Sequence, residues 1–287
     1  MVRRLCIFLA LTLAASIPLP VAAQHKPLLT KVDHVYLVSG ESERLFQFFR
    51  DEFQLSVVWP FNSYGDFASG GLSFGNVVIE FVTKKAVDGA AARTEFKGIA
   101  FEPVGDADAA IAELKRRRIP HREPNPYKYT QDGQERVGWV TIDLKGVPPA
   151  NANVFICDYK QRERVAGGRS RASGELAGKG GGPLGVTSLR ELVLGVKSVK
   201  DASREWGKLL DSPGRGTSAV FAFGPGPRIR LVRAEAEGIQ SMVVGVKSTA
   251  RAKQFLTERR MLGRASKGQL WIDPAGVGGL VIALVED

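Results

Sequence analysis

Three side chains capable of chemistry lie inside apolar stretches that have the composition of β-strands. His34 lies in the run KVDHVYLVSG, Glu80 in NVVIEFV, and Cys157 ends the run NVFIC. Side chains alternate between the two faces of a strand, and both faces of the Glu80 strand are apolar, so its carboxylate is predicted to be buried. A buried charge without a partner costs several kcal/mol, and Glu80 therefore needs a metal ion, a proton or a cation.

An imidazole together with a carboxylate suits a metal site. Both groups are common ligands of zinc, iron, manganese and nickel, and alternation places His34 on the same strand face as Tyr36. Cys157 would be nucleophilic only if a cation such as protonated His34 lowered the pKa of its thiol, whereas a buried cysteine in an apolar run more often serves packing.

The elements that must position these residues recur four times along the chain. Each copy has a β-branched strand that ends in a small or polar residue, then an amphipathic helix and further strands. A single βαβββ unit cannot bury both faces of its sheet, so four units predict an α+β protein of two paired mixed-sheet domains. The four starts are KVDHVYLVSG at 31–40, KGIAFEPVGD at 97–106, LRELVLGVKS at 189–198 and QSMVVGVKS at 240–248.

Composition marks the predicted boundary between the two domains. From residue 161 to residue 187 glycine, serine, arginine and lysine replace nearly all large apolar residues, which is typical of a linker. We therefore expect a first domain over 24–160, a Gly/Arg-rich linker over 161–187 and a second domain over 188–287. Within the first domain, the polar segment 127–133 is predicted to be a loop over the mouth of the sheet.

The first 23 residues have the pattern of a secretory signal peptide. Arg3 and Arg4 precede the apolar run 5–13, and VAA at 21–23 is a small-x-small cleavage site. The apolar run is too short for a lasting transmembrane anchor. We expect an exported protein, periplasmic or secreted, and leave the choice between the general and the twin-arginine routes open.

The remaining composition bears on stability and on partners. Removal of the signal lowers the formal net charge from +10 to +8 and leaves Cys157 as the only cysteine, so no internal disulfide can form. The basic residues concentrate in KRRR at 115–118 and KQRERVAGGRSR at 160–171. No aromatic residues interleave with these clusters, so we expect a small-molecule partner rather than nucleic acid and no membrane span after cleavage. A homodimer is left open.

The order of elements, with DHV at 33–35 and GNVVIE at 75–80, resembles the vicinal oxygen chelate superfamily. That superfamily includes glyoxalase I, extradiol dioxygenases, fosfomycin-resistance enzymes and bleomycin-resistance binding proteins. The resemblance covers residues 29–159 and 188–285. It implies that paired units roll into cups, each of which holds a divalent metal through residues of the first and last strand of each unit. The reaction is not implied, because one scaffold hosts many chemistries.

The resemblance directs attention to four positions in each domain. They are His34, Glu80, Gly98 and Cys157 in the first domain, and Glu191, Arg230, Ser241 and Ala283 in the second. The resemblance implies that His34 and Glu80 meet, either as ligands of one metal ion or, without a metal, as hydrogen-bond partners of each other. In the first domain only these two are apt metal ligands, so neither the facial triad of a dioxygenase nor the second glutamate of glyoxalase I is present. In the second domain we expect Glu191 and Arg230 to form a salt bridge in place of a metal.

Two functions remain open on the sequence. The first is a metal-assisted lyase, isomerase or dioxygenase that acts on a small oxygenated molecule, with Tyr36, His121 or Asp158 moving a proton. Asp158 would need a β-bulge to face the cup. The second is a metal-free binding or sequestering protein of the bleomycin-resistance type. The residues expected to line the pocket are Tyr36, Phe74, His121, Trp139 and Cys157, with Trp59 and Phe61 added for an aromatic cup.

Overall fold

The computed structural model of the protein describes residues 27–84, 93–212 and 219–287. The predicted signal segment, 1–23, lies outside the described residues. The first part of the chain contains β1 (Leu29–Val38), α1 (Ser42–Asp51), β2 (Val57–Ser63), β3 (Phe67–Ser73), β4 (Val78–Lys84), β5 (Glu95–Pro103), α2 (Ala107–Arg116), β6 (Asn125–Gln131), β7 (Gln134–Asp143) and β8 (Asn153–Tyr159).

The rest of the described chain adds three α-helices, a short 3₁₀ turn at Pro274–Val277 and seven strands. None of the described helices is long and apolar enough to cross a membrane. The elements are α3 (Arg162–Gly178), β9 (Val186–Val196), α4 (Val199–Leu210), β10 (Val220–Phe221), β11 (Arg228–Arg233), β12 (Gly238–Val246), α5 (Thr249–Glu258), β13 (Leu262–Ser266), β14 (Gln269–Ile272) and β15 (Ile282–Glu286).

The strands form two mixed sheets, one of eight strands and one of seven. Their orders are β2-β3-β4-β1-β5-β8-β7-β6 and β10-β11-β9-β12-β15-β14-β13. At the centre of each sheet the first strands of two successive units pair antiparallel, β1 with β5 and β9 with β12, and each is flanked on its other side by a parallel neighbour. The predicted α+β class with two curled mixed sheets is confirmed.

The two sheets share one continuous hydrophobic core. Strands β5 and β12 pack against each other, and Trp206 of α4 is fully buried with its indole N–H donating to the Pro148 carbonyl at 2.7 Å. The side-chain amide of Asn76 binds both the backbone N–H and the carbonyl of Leu189, at 2.9 and 3.1 Å. Buried apolar contacts and hydrogen bonds from side chains to the backbone therefore join the two sheets directly.

The segment 161–187, predicted to be a linker, begins with the 17-residue helix α3. Four of its residues are glycines, which lower helix propensity, so tertiary contacts must hold it. Ala172 and Leu176 are buried in the protein, and the helix contacts β8 at one side of the first sheet and β2 and β3 at the other. Helix α3 therefore crosses the first sheet instead of leading directly away from it.

The polar segment 127–133, predicted to be a loop, belongs mostly to a β-hairpin. Strand β6 pairs antiparallel with β7, with Tyr127 opposite Trp139 and Gln131 opposite Gln134. The prediction was wrong because β6 is an edge strand with both faces largely exposed, so it lacks the alternation of apolar residues by which a strand is recognised.

Replacing Gly167 or Gly174 by alanine should stabilise the protein, because both glycines are helical and an added methyl group would meet no atom within 4 Å. The expected gain is about 0.5–1 kcal/mol each in the free energy of unfolding, measured by urea denaturation. The control is Gly133→Ala, where φ is +73° and the space is equally open, so that variant should lose stability. A loss of stability in Gly167→Ala would mean that α3 is not helical in solution.

Candidate functional site

The two faces of the first sheet have different surroundings. On β1, Val35 and Leu37 point into the core shared by both sheets, whereas Tyr36 and Val38 point to the opposite, concave face. A second cluster of buried side chains covers that face and consists of Tyr36, Val38, Val82, Ala100, Phe155 and Cys157. The concave face is therefore the candidate site.

A β-bulge brings two consecutive polar residues to this face. Val32 pairs with Phe101 of β5 and His34 pairs with the adjacent Ala100, so Asp33 is an extra residue on β1. Asp33 and His34 are both buried, and their side chains bond each other on the concave side. Strict alternation along the strand would have separated them.

His34 is held between two carboxylates. Its Nδ1 is 2.7 Å from Oδ2 of Asp33, and its Nε2 is 3.2 Å from Oε2 of Glu80. Because each carboxylate accepts a hydrogen bond, a protonated imidazole donates from both ring nitrogens. The side chain of Glu80 is 15% exposed, so this end of the chain of contacts reaches the opening of the site.

At the other end of this series of contacts, Arg169 of helix α3 binds Asp33. The guanidinium donates to both oxygens of Asp33, with Nη2 at 2.9 Å from Oδ2. The Tyr159 hydroxyl also donates to Asp33, at 3.0 Å, and accepts from Arg169 at 3.1 Å. Asp33 has no exposed side-chain surface, so it is a fully buried carboxylate that is satisfied from three directions.

The charges alternate along these four residues. Burial by itself raises the pKa of Asp33, but Arg169 and His34 outweigh it and hold that pKa well below its usual range. Burial also lowers the pKa of His34, while its hydrogen bonds to Asp33 and Glu80 outweigh this and raise the pKa to about 9. At neutral pH His34 is therefore a cation between two anions, and Arg169 is the second cation.

Aromatic rings form the walls of the site. His34 meets Phe155 and Trp59 edge to face, with ring centroids 5.6 and 6.5 Å apart. Tyr127 stacks on Trp139 at 3.9 Å. Tyr64, from the turn between β2 and β3, contacts both of those rings at 6.0 and 6.1 Å. Since β2 and β6 are opposite edges of the sheet, these contacts show that the sheet curls until its edges meet.

The Tyr36 ring fills the space beside Gly98, one of the four positions at which the resemblance implies a metal ligand. A Cβ atom at Gly98 would lie 2.2 Å from the Tyr36 ring and 2.5 Å from the Asn153 carbonyl. The absence of a side chain at Gly98 lets the Tyr36 ring lie across β5. Burial, the dominant cause, raises the pKa of Tyr36 to about 12 although its hydroxyl hydrogen-bonds Asn153, so the hydroxyl stays protonated.

Beyond His34 and Glu80, the described residues of the concave face offer few further ligands for a metal ion. Glu80 and His34 bond each other, the Tyr36 ring fills the space at Gly98, and burial keeps the pKa of the Cys157 thiol well above its usual value. Among the described residues no group of three or more His, Cys, Asp and Glu side chains could hold a metal. The geometry matches the alternative in which His34 and Glu80 bond each other.

The structure separates the predicted pocket residues into two groups. Tyr36 and Cys157 lie in the cluster on the concave face, with Trp139 partly buried against it. Phe74 does not: it lies in the shared core near Phe49, because the chain turns there between β3 and β4. The prediction for Phe74 is therefore corrected.

His121 and Asp158 also lie apart from His34 and its two carboxylate partners, Asp33 and Glu80. His121 pairs with Leu144 in an isolated bridge and bonds the Ile119 carbonyl through Nδ1. Asp158 follows the regular alternation of β8 and accepts from the first backbone N–H of α2, Lys160 and Arg162. The bulge considered for Asp158 occurs at Asp33 instead.

Asp33, Arg169, Tyr159 and Asn153 were missed from the sequence. The signal for Asp33 was available, because two polar residues between Val32 and Val35 break the alternation of the strand. Arg169 had no such signal. It lies in a glycine-rich segment 136 residues from Asp33, and only the path of α3 brings the two together.

The second sheet carries the predicted salt bridge between Glu191 and Arg230. Arg230 Nη2 lies 2.7 Å from Oε1 and 2.9 Å from Oε2 of Glu191, which is buried. Arg228 approaches the same carboxylate at 3.8 Å. The predicted pairing is confirmed, and a second cation accompanies it.

Comparisons with solved structures identify the fold. A variant of homoprotocatechuate 2,3-dioxygenase from Brevibacterium fuscum is 14% identical with a TM-score of 0.60, over 92% of this chain and 73% of that chain. A mutant of 4-hydroxymandelate synthase from Streptomyces coelicolor is 12% identical with a TM-score of 0.57, over 90% and 93%. A hypothetical protein from Staphylococcus aureus is 11% identical with a TM-score of 0.59, over 90% and 99%.

The dioxygenase and the synthase have folds of the vicinal oxygen chelate type, and the likeness shows that this chain shares that fold. No protein-family model matches the sequence, and a search of curated proteins finds no match. At this level of sequence identity the comparison shows a shared fold and does not identify a reaction.

Replacing Arg169 by methionine should leave the buried Asp33 carboxylate without its main cation. The free energy of unfolding should fall by about 3–5 kcal/mol, measured by urea denaturation. The matched control is Arg171→Met on the same helix. Arg171 is 70% exposed and its ion pair with Glu175 is long, with 3.9 Å between Nε and Oε1, so this substitution should change stability little. Equal effects of the two substitutions would contradict the role of Arg169.

The stability of the protein should depend on pH through His34. Its pKa is higher in the folded state, about 9, than the usual 6.5, so its contribution is complete below about pH 6.5 and is lost as the pH rises through about 9. Unfolding measured across this range should show the decline in the natural protein and a flatter profile in His34→Gln. A decline of equal size in both proteins would assign it to another group.

Proposed function

We propose that the concave face of the first sheet is a metal-free binding site for a small organic molecule, and that the chain acts as a binding or sequestering protein. The observation that carries this proposal is the Tyr36 ring over Gly98, which fills the space at one position where the resemblance implies a metal ligand, while His34 and Glu80 bond each other. The charges of Glu80, His34, Asp33 and Arg169 thus offset one another without a bound ligand.

The site offers a ligand two kinds of contact. Trp59, Tyr127 and Trp139 are partly exposed and give flat apolar surfaces suited to a planar ring. Glu80 contacts His34 through Oε2, and no group of the described residues binds its Oε1, so this oxygen can accept a hydrogen bond from the ligand. We therefore infer a flat molecule with at least one hydroxyl or amino donor.

A metal-assisted lyase, isomerase or dioxygenase is the second candidate. One observation favours it: His34 Nε2 and Glu80 Oε2 are 3.2 Å apart on the same concave face, close enough to share an ion at about 2.0–2.2 Å from each. In this candidate an ion would have to displace the hydrogen bond between them.

Export is part of the proposal. It rests on the basic, apolar and small-residue pattern of residues 1–23. The likeness to solved structures supports only the fold, and the placement of the binding function at this face rests on the contacts described above.

Catechol serves as a neutral, planar probe with two hydroxyl donors. We expect it to quench the tryptophan fluorescence of protein that elemental analysis shows to be free of zinc, iron, manganese and nickel. Glu80→Gln removes the charge of the acceptor and should weaken binding by about tenfold, as expected for one hydrogen bond to a charged group. Trp139→Ala should also weaken it, through lost stacking.

The control is Trp271→Ala, which removes a partly exposed tryptophan of the second sheet and should leave catechol binding unchanged. One equivalent of metal in the purified protein, lost in His34→Gln, would instead support the second candidate. Catechol binding that appears only after metal is added would do the same, and both results would overturn the metal-free proposal.

A further inference from the structure

The two faces of the second sheet are unequal, as in the first. Leu192, Leu194 and Met242 are fully buried in the shared core, and α4 and α5 bury Trp206 and Leu256 in the same core. The residues that alternate with them form the opposite face. Across neighbouring strands this face runs through Arg228, Glu191, Val243, Ala283 and Trp271, in register.

This opposite face has an accessible apolar floor. Val193, Val243 and Trp271 are only partly buried, in contrast to the core residues beside them. Arg264 lies 4.0 Å above the Trp271 ring. The apolar floor is therefore bordered by arginines on β11 at one side and by Arg264 at the other.

The charge at the β11 side is unbalanced. Glu191 is one buried carboxylate, and both Arg228 and Arg230 approach it. A salt bridge that only neutralises a buried carboxylate needs one cation. The second arginine leaves a surplus positive charge on a partly apolar surface, which attracts an anion.

Arg230 has unused donors. A single nitrogen, Nη2, contacts both oxygens of Glu191, and no acceptor among the described residues binds Nη1. The Arg230 side chain is 43% exposed and that of Arg228 is 51% exposed. A carboxylate from solution can therefore reach both guanidinium groups and accept paired hydrogen bonds.

We propose that this face of the second sheet binds a small organic anion, with its carboxylate at Arg230 and Arg228 and its apolar body on Val193 and Val243. Glu191 competes with the ligand for the donors of Arg230. The site is separate from the concave face of the first sheet. Its ligand is defined by a carboxylate, whereas the ligand proposed for the first sheet is defined by a hydroxyl or amino donor.

Benzoate is the probe, with benzyl alcohol as its uncharged counterpart and inorganic phosphate as an anion without an apolar body. Added to the full chain, benzoate should give saturable NMR shifts at the backbone amides of Val193, Val243 and Ala283. Arg228→Met and Arg230→Met should each weaken binding by about tenfold. The matched control is Arg233→Met, because Arg233 is on the same strand and alternation turns it to the other face.

Glu191→Gln keeps the site testable if Arg230→Met fails to fold. Removing the competing charge should tighten benzoate binding, a gain that unfolding cannot imitate. Equal binding of benzyl alcohol or phosphate would overturn the assignment of an organic anion. Shifts confined to the first sheet, unchanged affinity in both arginine variants, or weaker binding in Glu191→Gln would overturn the site itself.

Discussion

The first sheet depends on one buried ion pair, between Asp33 and Arg169. A carboxylate with no exposed surface is tolerated only when a cation and hydrogen-bond donors reach it. Arg169 and the Tyr159 hydroxyl do so, and this requirement draws the glycine-rich helix α3 across the sheet. The same carboxylate orients His34 and keeps it protonated, so the fold of α3 and the chemistry of the site rest on one contact.

The site achieves electrical balance from within the chain. Glu80, His34, Asp33 and Arg169 alternate in charge, where the family resemblance implies a metal ion among several ligands. The Tyr36 ring lies over Gly98 and leaves no space for a side chain at residue 98, so no ligand can come from that position. The shared fold therefore coexists with a different arrangement of donors, as expected when function depends on the site rather than on the scaffold.

Each sheet buries one carboxylate and pairs it with arginine, but the arginine comes from a different element in each. In the first, Asp33 is buried completely, and a helix supplies its cation from above the concave face. In the second, Glu191 is buried but its arginines come from the neighbouring strand and remain half exposed. The first face is thus closed at one end and the second is bordered by accessible positive charge, which suits ligands of different charge.

Local patterns in the sequence were sufficient for most strands, for the four amphipathic helices and for the mixed-sheet class, since alternation and helical spacing depend on near neighbours. They did not predict helix α3, which lies in the segment expected to be a linker. The resemblance to a known superfamily, and not local patterns, brought Glu80 beside His34 and Glu191 beside Arg230. Local patterns could not find Arg169, the strand β6 or the core position of Phe74, because these depend on contacts between distant segments, on edge pairing and on the direction of a turn. The bulge at Asp33 lies between these cases: two adjacent polar residues signalled it, but only the pairing with β5 fixed which way both side chains face.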